Sequence, residues 1–356
     1  MTLGIGVIGT GFARRVQLPA LRLVPGVSVT AIASGNAARA AAAAREFGIP
    51  HVLADGAALA RADEVDLVLV ASTPDTHAGF SIAALEAGKH VLCEKPTALD
   101  AGEARRMLAA AERHPDRLAW LDHELRHEPN RRAVRDHIRR GAIGTVQHLE
   151  LSLTPYVRGD GRPQTVAAPW SWWFDATRGG GILGAVGSHY VDLCRYWTAS
   201  EVVEVAGAVA TFVPERPDET GVMRRVTADD YASATLRFAS GAVATILLST
   251  VAHHGPGHFA QLTGSEGTLI LTGEGRLEIG KAGGGGALED ISVPDDLRGR
   301  VTPDNMWARS FVRLMRDLVA AIGGGRPDVP PATFADGYRV QQVLDAVRGG
   351  GVTPLD

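Results

Sequence analysis

Apolar and polar residues follow two different rhythms along this chain. In the first third, short β-branched runs at 3–8, 27–33 and 65–71, bounded by Gly, Pro or Asp, read as strands. Helical stretches at 12–23 and 37–47 separate them, the second favoured by its alanines. A helix at 76–87 then leads to a strand at 90–93, and 118–121 reads as the last strand of this series. Strand, helix, strand at such spacing predicts right-handed βαβ crossovers and a parallel sheet.

The texture then changes. Residues 129–140 form a basic amphipathic helix with Gly141 and Gly144 as stop signals. Alternating runs follow at 146–154, 202–213, 232–238, 242–251 and 268–271. Turn dipeptides such as Ser240-Gly241 suit an antiparallel, hairpin-linked sheet. Four consecutive glycines within 282–287 suggest a mobile loop. The helix at 305–322 carries Trp307, Phe311, Leu314, Met315, Leu318 and Ile322 on one face, a packing stripe. The expected architecture is an α/β Rossmann domain over 1–122 and an α+β C-terminal domain over 123–356. The second is built on a large, mostly antiparallel, open-faced sheet.

Composition narrows the function classes. With 356 residues the chain is long enough for two domains. A net charge of −4 provides no basic footprint for nucleic acid. No run approaches the roughly 20 apolar residues that span a bilayer. The first apolar run lacks the cationic lead of a signal peptide. Cys93 and Cys194 make neither a disulfide framework nor a metal-ligand spacing, so no metal is expected. His253, His254 and His258 likewise show no recurrent ligand spacing and read as loop residues near the cleft. The expectation is a cytoplasmic protein. Covering an open sheet face calls for a homodimer or homotetramer through the C-terminal domain.

Candidate chemistry begins at the first strand. A literal G-x-G-x-x-G falls on Gly4, Gly6 and Gly9, but the first two lie inside the strand, and the fingerprint needs a strand before its first glycine. The workable loop is Gly9-Thr10-Gly11, with Phe12 and Ala13 opening a helix whose N-terminus suits a pyrophosphate. Arg14 occupies the third glycine's place, so the fingerprint is incomplete, and Ala13 stands in for part of its packing. A plain strand-to-helix turn without a ligand is the competing reading. After the second strand come Ser34, Gly35 and Asn36, with no carboxylate to meet a ribose 2′-hydroxyl before Glu46. Ser34 and Asn36 can donate to a 2′-phosphate, and Arg39 can supply charge. That pattern favours NADP over NAD, although Arg39 is equally at home as a solvated helix residue.

The segments Ser72-Thr73-Pro74-Asp75-Thr76-His77 and Ala87-Gly88-Lys89-His90-Val91-Leu92-Cys93-Glu94-Lys95-Pro96 closely resemble the glucose-fructose oxidoreductase / inositol dehydrogenase / rhizopine catabolism (Gfo/Idh/MocA) family. The resemblance extends over nearly the whole chain, with Glu94-Lys95-Pro96 as its most specific mark. It implies an NAD(P)-dependent dehydrogenase of CH–OH groups acting on a sugar, cyclitol or related compound. Pro96 would fix the turn, through a cis bond such as X-Pro allows. Lys95 would project toward nicotinamide and substrate, exchanging the hydroxyl proton. Pairing of Lys95 with Glu94 or with solvent is the blander alternative. Ser72, Thr73, Pro74 and His77 would line the ribose and nicotinamide side, and His77 is also a plausible polar residue at a helix start.

Gly179-Gly180-Gly181 followed by Ser188-His189-Tyr190-Val191-Asp192 matches a second family motif. The resemblance implies that His189 assists Lys95. Asp192, three residues on, would orient the ring or pair with Arg195. Many relatives carry Asp four residues before this histidine, where this chain has Ala185. A subgroup chemistry on Lys95 and His189 alone, or loss of turnover, would each account for that change. Upstream, Trp170, Trp172, Trp173 and Phe174 cluster, Phe174 standing where relatives have Arg. Trp173 offers a stacking face for a sugar ring, against ordinary aromatic packing. Glu124, Arg126 and His127, together with Tyr156 and Arg158, are further substrate-contact candidates. The competing functions are a non-catalytic, dinucleotide-sensing regulator or scaffold, and a redox-assisted hydrolase or lyase with bound NAD.

Overall fold

The computed structural model describes residues 2–154, 168–273 and 275–355. Two units emerge, Met1–Glu128 with Asp296–Gln341, and Pro129–Asp295 with Gln342–Asp356.

The first unit is a six-stranded sheet in the order β3-β2-β1-β4-β5-β6, every neighbouring pair parallel. Its strands are β1 (Leu3–Ile8), β2 (Val27–Ala33), β3 (His51–Val52), β4 (Leu67–Val70), β5 (His90–Cys93) and β6 (Ala119–Leu121). The central strands are apolar on both faces because helices cover both: Ile5, Val7, Leu67, Val68, Leu69, Val91 and Leu92 are buried. The crossovers run through α1 (Leu18–Leu21), α2 (Ala37–Phe47), α3 (Gly56–Ala60), α4 (His77–Glu86) and α5 (Ala101–Arg113). The strand order reverses between β1 and β4, the switch point whose carboxyl edge is the expected ligand crevice.

Two sequence expectations are corrected here. The helix read over 12–23 opens as a π-helical turn (Ala13–Gln17) before the short α1. The domain boundary at 122 is also too simple, because residues 296–341 return to the first unit. The reason is the apolar stripe of α8 (Met306–Ile322): Phe311, Val312, Leu314, Met315 and Leu318 are buried in one core with Ile5, Val7, Leu67 and Leu69. Asn305 caps that helix, its side chain accepting from the Ala308 N–H.

The second unit holds a nine-stranded sheet in the order β16-β15-β14-β13-β7-β12-β11-β8-β17. Its strands are β7 (Val146–Thr154), β8 (Val202–Ala210), β11 (Tyr231–Phe238), β12 (Val243–Ser249), β13 (Gly257–Gly264), β14 (Gly267–Thr272), β15 (Arg276–Lys281), β16 (Glu289–Asp290) and β17 (Gly351–Pro354). A separate ribbon pairs β9 (Glu215–Pro217) with β10 (Met223–Arg225). All pairs in the large sheet are antiparallel except β7 with β12. Along β11 the buried Ala232, Ala234, Leu236 and Phe238 alternate with the exposed Thr235 and Arg237, so the strand is covered on one side. Helices α6 (Pro129–Arg139) and α7 (Ser188–Thr198) belong to this unit, while α9 (Phe334–Gly349) begins in the first unit and ends in the second. No described helix is long and apolar enough to cross a membrane.

Candidate active site

β1 delivers the chain into Gly9, whose φ of +113° lies where side-chain-bearing residues are rare. A Cβ there would sit 2.2 Å from the Ala71 carbonyl oxygen, so the turn closes directly on the end of β4. At Gly11 the opposite holds: a Cβ would meet nothing within 4 Å, and the residue is exposed. That open cradle, followed by the first N–H groups of a helix, fits a pyrophosphate. Ala13 is fully buried in the core, taking the packing role of the missing third glycine. Arg14 instead turns outward, to Glu46 at 2.6 Å.

The loop after β2 is held by its own hydrogen bonds. Thr10 Oγ1 and Ser34 Oγ lie 3.4 Å apart, which joins the two loops. Asn36 N–H donates to Ser34 Oγ at 3.2 Å, and Asn36 Oδ1 accepts from Arg39 N–H at 2.9 Å. Gly35, Asn36 and Arg39 are exposed.

The edge of β4 and β5 holds the rest. Thr76 Oγ1 donates within the loop, with Ser72 Oγ at 2.7 Å and the Thr73 carbonyl at 2.8 Å. The Lys95–Pro96 peptide is cis. His77 is buried, its Nδ1 2.9 Å from the Pro96 carbonyl oxygen and its Nε2 3.3 Å from that of Ser72. Burial lowers its pKa despite both carbonyls, so the ring is neutral and its one proton serves the shorter contact. His77 is therefore a brace between loops.

Behind Lys95 lies a group of acids that only the structure brings together. Gln17, fully buried on the π-helical turn, donates through Nε2 to Glu94 Oε1 and to Asp122 Oδ2, both at 2.8 Å. Glu94 Oε2 accepts from the Lys95 N–H at 3.1 Å. Asp122 and Glu124 are buried with Glu94, and Asp122 Oδ1 has no hydrogen-bond partner. Burial raises all three acids, Asp122 well above the usual carboxylate range and Glu124 to about 8, with the charge of Glu94 adding to the latter. Lys95, half-buried, opposes the rise at Glu94 and Glu124. The sequence reading missed Gln17 and Asp122. The rule that ligands gather at the carboxyl ends of parallel strands marks Asp122, the first residue after β6. Nothing local marks Gln17.

Two further candidates are committed to the fold of this unit. Arg126 donates to the carbonyls of Pro330 and Pro331 at 3.3 and 3.0 Å and pairs with Asp336 at 3.4 Å. His127 lies 3.5 Å from Asp317. Both bind down the returning segment.

In the second unit the glycine run seats α7. Gly181 has φ +107° and a Cβ there would lie 2.3 Å from Asp229 Oδ1. Asp229 Oδ2 accepts from Leu183 N–H at 2.7 Å, and its carbonyl accepts from Ile182 N–H at 3.0 Å. This anchors the π-helical turn (Leu183–Gly187) that contains Ala185. His189 and Asp192 follow on α7, both buried. Arg195 holds Glu201 in a two-pronged contact at 2.7 and 2.8 Å. Trp173, half-buried, meets Trp172 edge-on at 6.0 Å. Phe174 is buried under the Arg216 guanidinium at 4.2 Å, a packing role. His258, expected in a loop, sits on β13 with Nδ1 2.8 Å from Tyr190 Oη, and burial depresses its pKa to about 3. Among the described residues no group of three His, Cys, Asp or Glu is arranged to hold a metal. Tyr156 and Arg158 lie outside the described residues.

A six-stranded parallel sheet with a glycine turn at its switch point defines a dinucleotide-binding Rossmann protein. Residues 3–122 match the model for the oxidoreductase family with an NAD-binding Rossmann fold, and 131–270 match the GFO/IDH/MocA C-terminal domain. The chain belongs to the GFO/IDH/MocA oxidoreductase family. It is 28% identical to levoglucosan dehydrogenase of Pseudarthrobacter phenanthrenivorans over 97% of this chain and 95% of that protein. A crystal structure of an oxidoreductase domain protein from Kribbella flavida superposes with a TM-score of 0.84 at 31% identity, covering 98% of this chain and 96% of the other. A levoglucosan dehydrogenase structure in complex with NADH gives 0.84 at 25% identity over the same shares.

Proposed function

We propose that this oxidoreductase moves a hydride between NADP or NAD and a CH–OH or carbonyl carbon of a sugar, cyclitol or related compound. Lys95 exchanges the hydroxyl proton. The observation that carries the proposal is the placement of half-buried Lys95 at the carboxyl edge of the parallel sheet, beside three buried acids and the helix of the glycine loop. Relatives named levoglucosan dehydrogenase and D-apiose dehydrogenase support a sugar-like substrate.

In this reading the backbone from Gly9 to Ala13 holds the pyrophosphate, and Ser72, Thr73, Pro74 and Pro96 shape the wall beside the nicotinamide. Ser34, Gly35, Asn36 and Arg39 receive the adenosine ribose, and their donors favour NADP. The bound nicotinamide supplies or accepts the hydride. A desolvated amine at Lys95 accepts the departing proton when an alcohol is oxidised and returns it when a carbonyl is reduced. In its ammonium form it stabilises a developing alkoxide. His189 assists, oriented by Asp192, and Trp173 offers a face to the sugar ring. A homodimer or homotetramer belongs to the same proposal, supported by exposed apolar side chains on the large sheet such as Val203, Leu247 and Val352.

The deciding experiment screens sugars and polyols with NADP and NAD, following nicotinamide absorbance in wild type, Lys95→Ala and His189→Ala. Turnover that falls at least about 100-fold in Lys95→Ala, with cofactor affinity kept, is the expected result. One specific feature, Ala185 in place of the family aspartate, favours a second reading as a dinucleotide-sensing regulator. Firm cofactor binding without turnover on any substrate would establish that reading instead.

A further inference from the structure

Ser34 stands directly after β2, where a dinucleotide fold places the group that meets the adenosine ribose at its 2′ position. A 2′-hydroxyl has a hydrogen to give and needs an acceptor, whereas a 2′-phosphate has only acceptor oxygens and needs donors. Arg39 can only donate. Asn36 Oδ1 is turned to the Arg39 N–H at 2.9 Å as the cap of α2, so what that amide has left to offer is the donor Nδ2. The next carboxylate, Glu46, is held by Arg14 at 2.6 Å near the far end of α2. That leaves Ser34 Oγ as the acceptor for a ribose hydroxyl, with one of its two lone pairs taken by the Asn36 N–H at 3.2 Å. A serine that accepts through its last lone pair sends its own hydrogen elsewhere. Thr10 Oγ1 lies 3.4 Å away on the glycine loop, and either oxygen of the pair can be the donor.

We propose that the Thr10–Ser34 hydroxyl pair reverses its direction with the cofactor, so that one site uses both NADP and NAD. The inference rests on the nicotinamide-dependent reading above and adds the device that reads the 2′ position. With a 2′-phosphate bound, Ser34 donates to a phosphate oxygen and Thr10 donates to Ser34. With a 2′-hydroxyl bound the hydrogens run the other way: the ribose donates to Ser34, and Ser34 donates to Thr10. Each chain of hydrogen bonds keeps every hydrogen aimed at an acceptor, and each link strengthens the next. A separation of 3.4 Å is long for two hydroxyls, so neither hydrogen is committed before a ligand arrives. The charge of Arg39 serves the phosphate, which puts NADP ahead without excluding NAD. Thr10 is thus a positioning residue that acts through Ser34.

The test is a fluorescence titration of the whole protein with NADPH, NADH and an NADH whose adenosine ribose lacks the 2′-hydroxyl. It compares wild type, Thr10→Val, Thr10→Ser and Ser34→Ala, with the melting temperature as the folding control. Wild type should bind NADPH and NADH with dissociation constants within about 30-fold of each other. Thr10→Val keeps the shape of threonine without its hydroxyl. It should weaken both cofactors about three- to tenfold and leave the 2′-deoxy compound within about twofold. Ser34→Ala should give the same pattern, and Thr10→Ser should behave as wild type. A wider gap between NADPH and NADH in wild type overturns the proposal and keeps the nicotinamide-dependent reading. Unchanged affinities in a folded Thr10→Val protein, or a loss for one cofactor alone, also overturn it. So does an equal loss for the 2′-deoxy compound, which would place the Thr10 hydroxyl on the pyrophosphate instead. Failure of wild type to bind any of the three removes the nicotinamide-dependent reading itself, and this inference with it.

Discussion

His77 Nδ1 donates to the Pro96 carbonyl at 2.9 Å, which ties the loop leaving β4 to the loop leaving β5. The two segments that wall the proposed nicotinamide site are thus held by one buried ring. Replacing His77 with Leu strands the Pro96 carbonyl and should cost about 1–3 kcal/mol of stability in urea unfolding. It should also weaken cofactor binding severalfold in a fluorescence titration. Lost stability with an unchanged Kd would confine the brace to folding.

The two glycines of the first loop should fail in different ways. Gly9→Ala places a methyl group 2.2 Å from a backbone oxygen at a φ of +113°, so stability should drop by about 1–3 kcal/mol. Gly11→Val meets open space, so the melting temperature should hold while affinity for NADPH and NADH falls at least tenfold. Equal affinity in wild type and Gly11→Val would remove that loop from the cofactor site.

Arg39 is exposed at the first turn of α2, beyond a loop with no carboxylate. If it faces a 2′-phosphate, Arg39→Ala weakens NADPH about tenfold and leaves NADH unchanged. Parallel changes in both constants would assign Arg39 to the general surface.

Glu124 gives a pH signature. Its folded pKa is raised to about 8 by burial from an ordinary value of 4.5, so the folded state binds its proton more tightly than the unfolded chain does. Its contribution is therefore lost as pH rises from about 4.5 to about 8. Glu124→Gln removes that loss. Relative to wild type, the variant should gain at least about 1 kcal/mol between pH 5 and pH 8 in urea unfolding. A difference that stays flat with pH would contradict the buried, protonated state.

His258 acts with the opposite sign at the acidic end. Burial holds it neutral to about 3 beside Tyr190, whereas the unfolded ring takes a proton below about 6.5. The folded state should therefore lose stability as pH falls from 6.5 toward 3. His258→Asn should flatten that slope, measured as the difference from wild type at pH 7 and pH 5.

The sheet of the first unit was legible because β-branched runs buried on both faces and alanine-rich crossovers leave strong local patterns. The cis bond before Pro96 was an implication of the family resemblance, which Glu94-Lys95-Pro96 carries in near neighbours. What escaped depends on distant ones. The very short β3 and the five-residue α3 carry too few positions to show a period. The α8 stripe announced that it needed a core without saying which one. In helix α9, Val340, Val343, Leu344 and Val347 fall on one buried face, a stripe that the sequence reading did not pick up. Gln17 and Asp122 are 105 positions apart, and only the assembled parallel sheet makes them neighbours. The backbone partners of Arg126 and His77, at Pro330, Pro331 and Pro96, have no side-chain signature.

The return of 296–341 to the first unit has a consequence for the order in which this chain acquires its shape. Synthesis proceeds from the N-terminus, so all six strands of the parallel sheet leave the ribosome before the helix that closes one face of their core. Until α8 emerges, Ile5, Val7, Leu67 and Leu69 lack part of their cover. The nascent Rossmann half must wait, with apolar surface showing, while the whole of 129–295 is made.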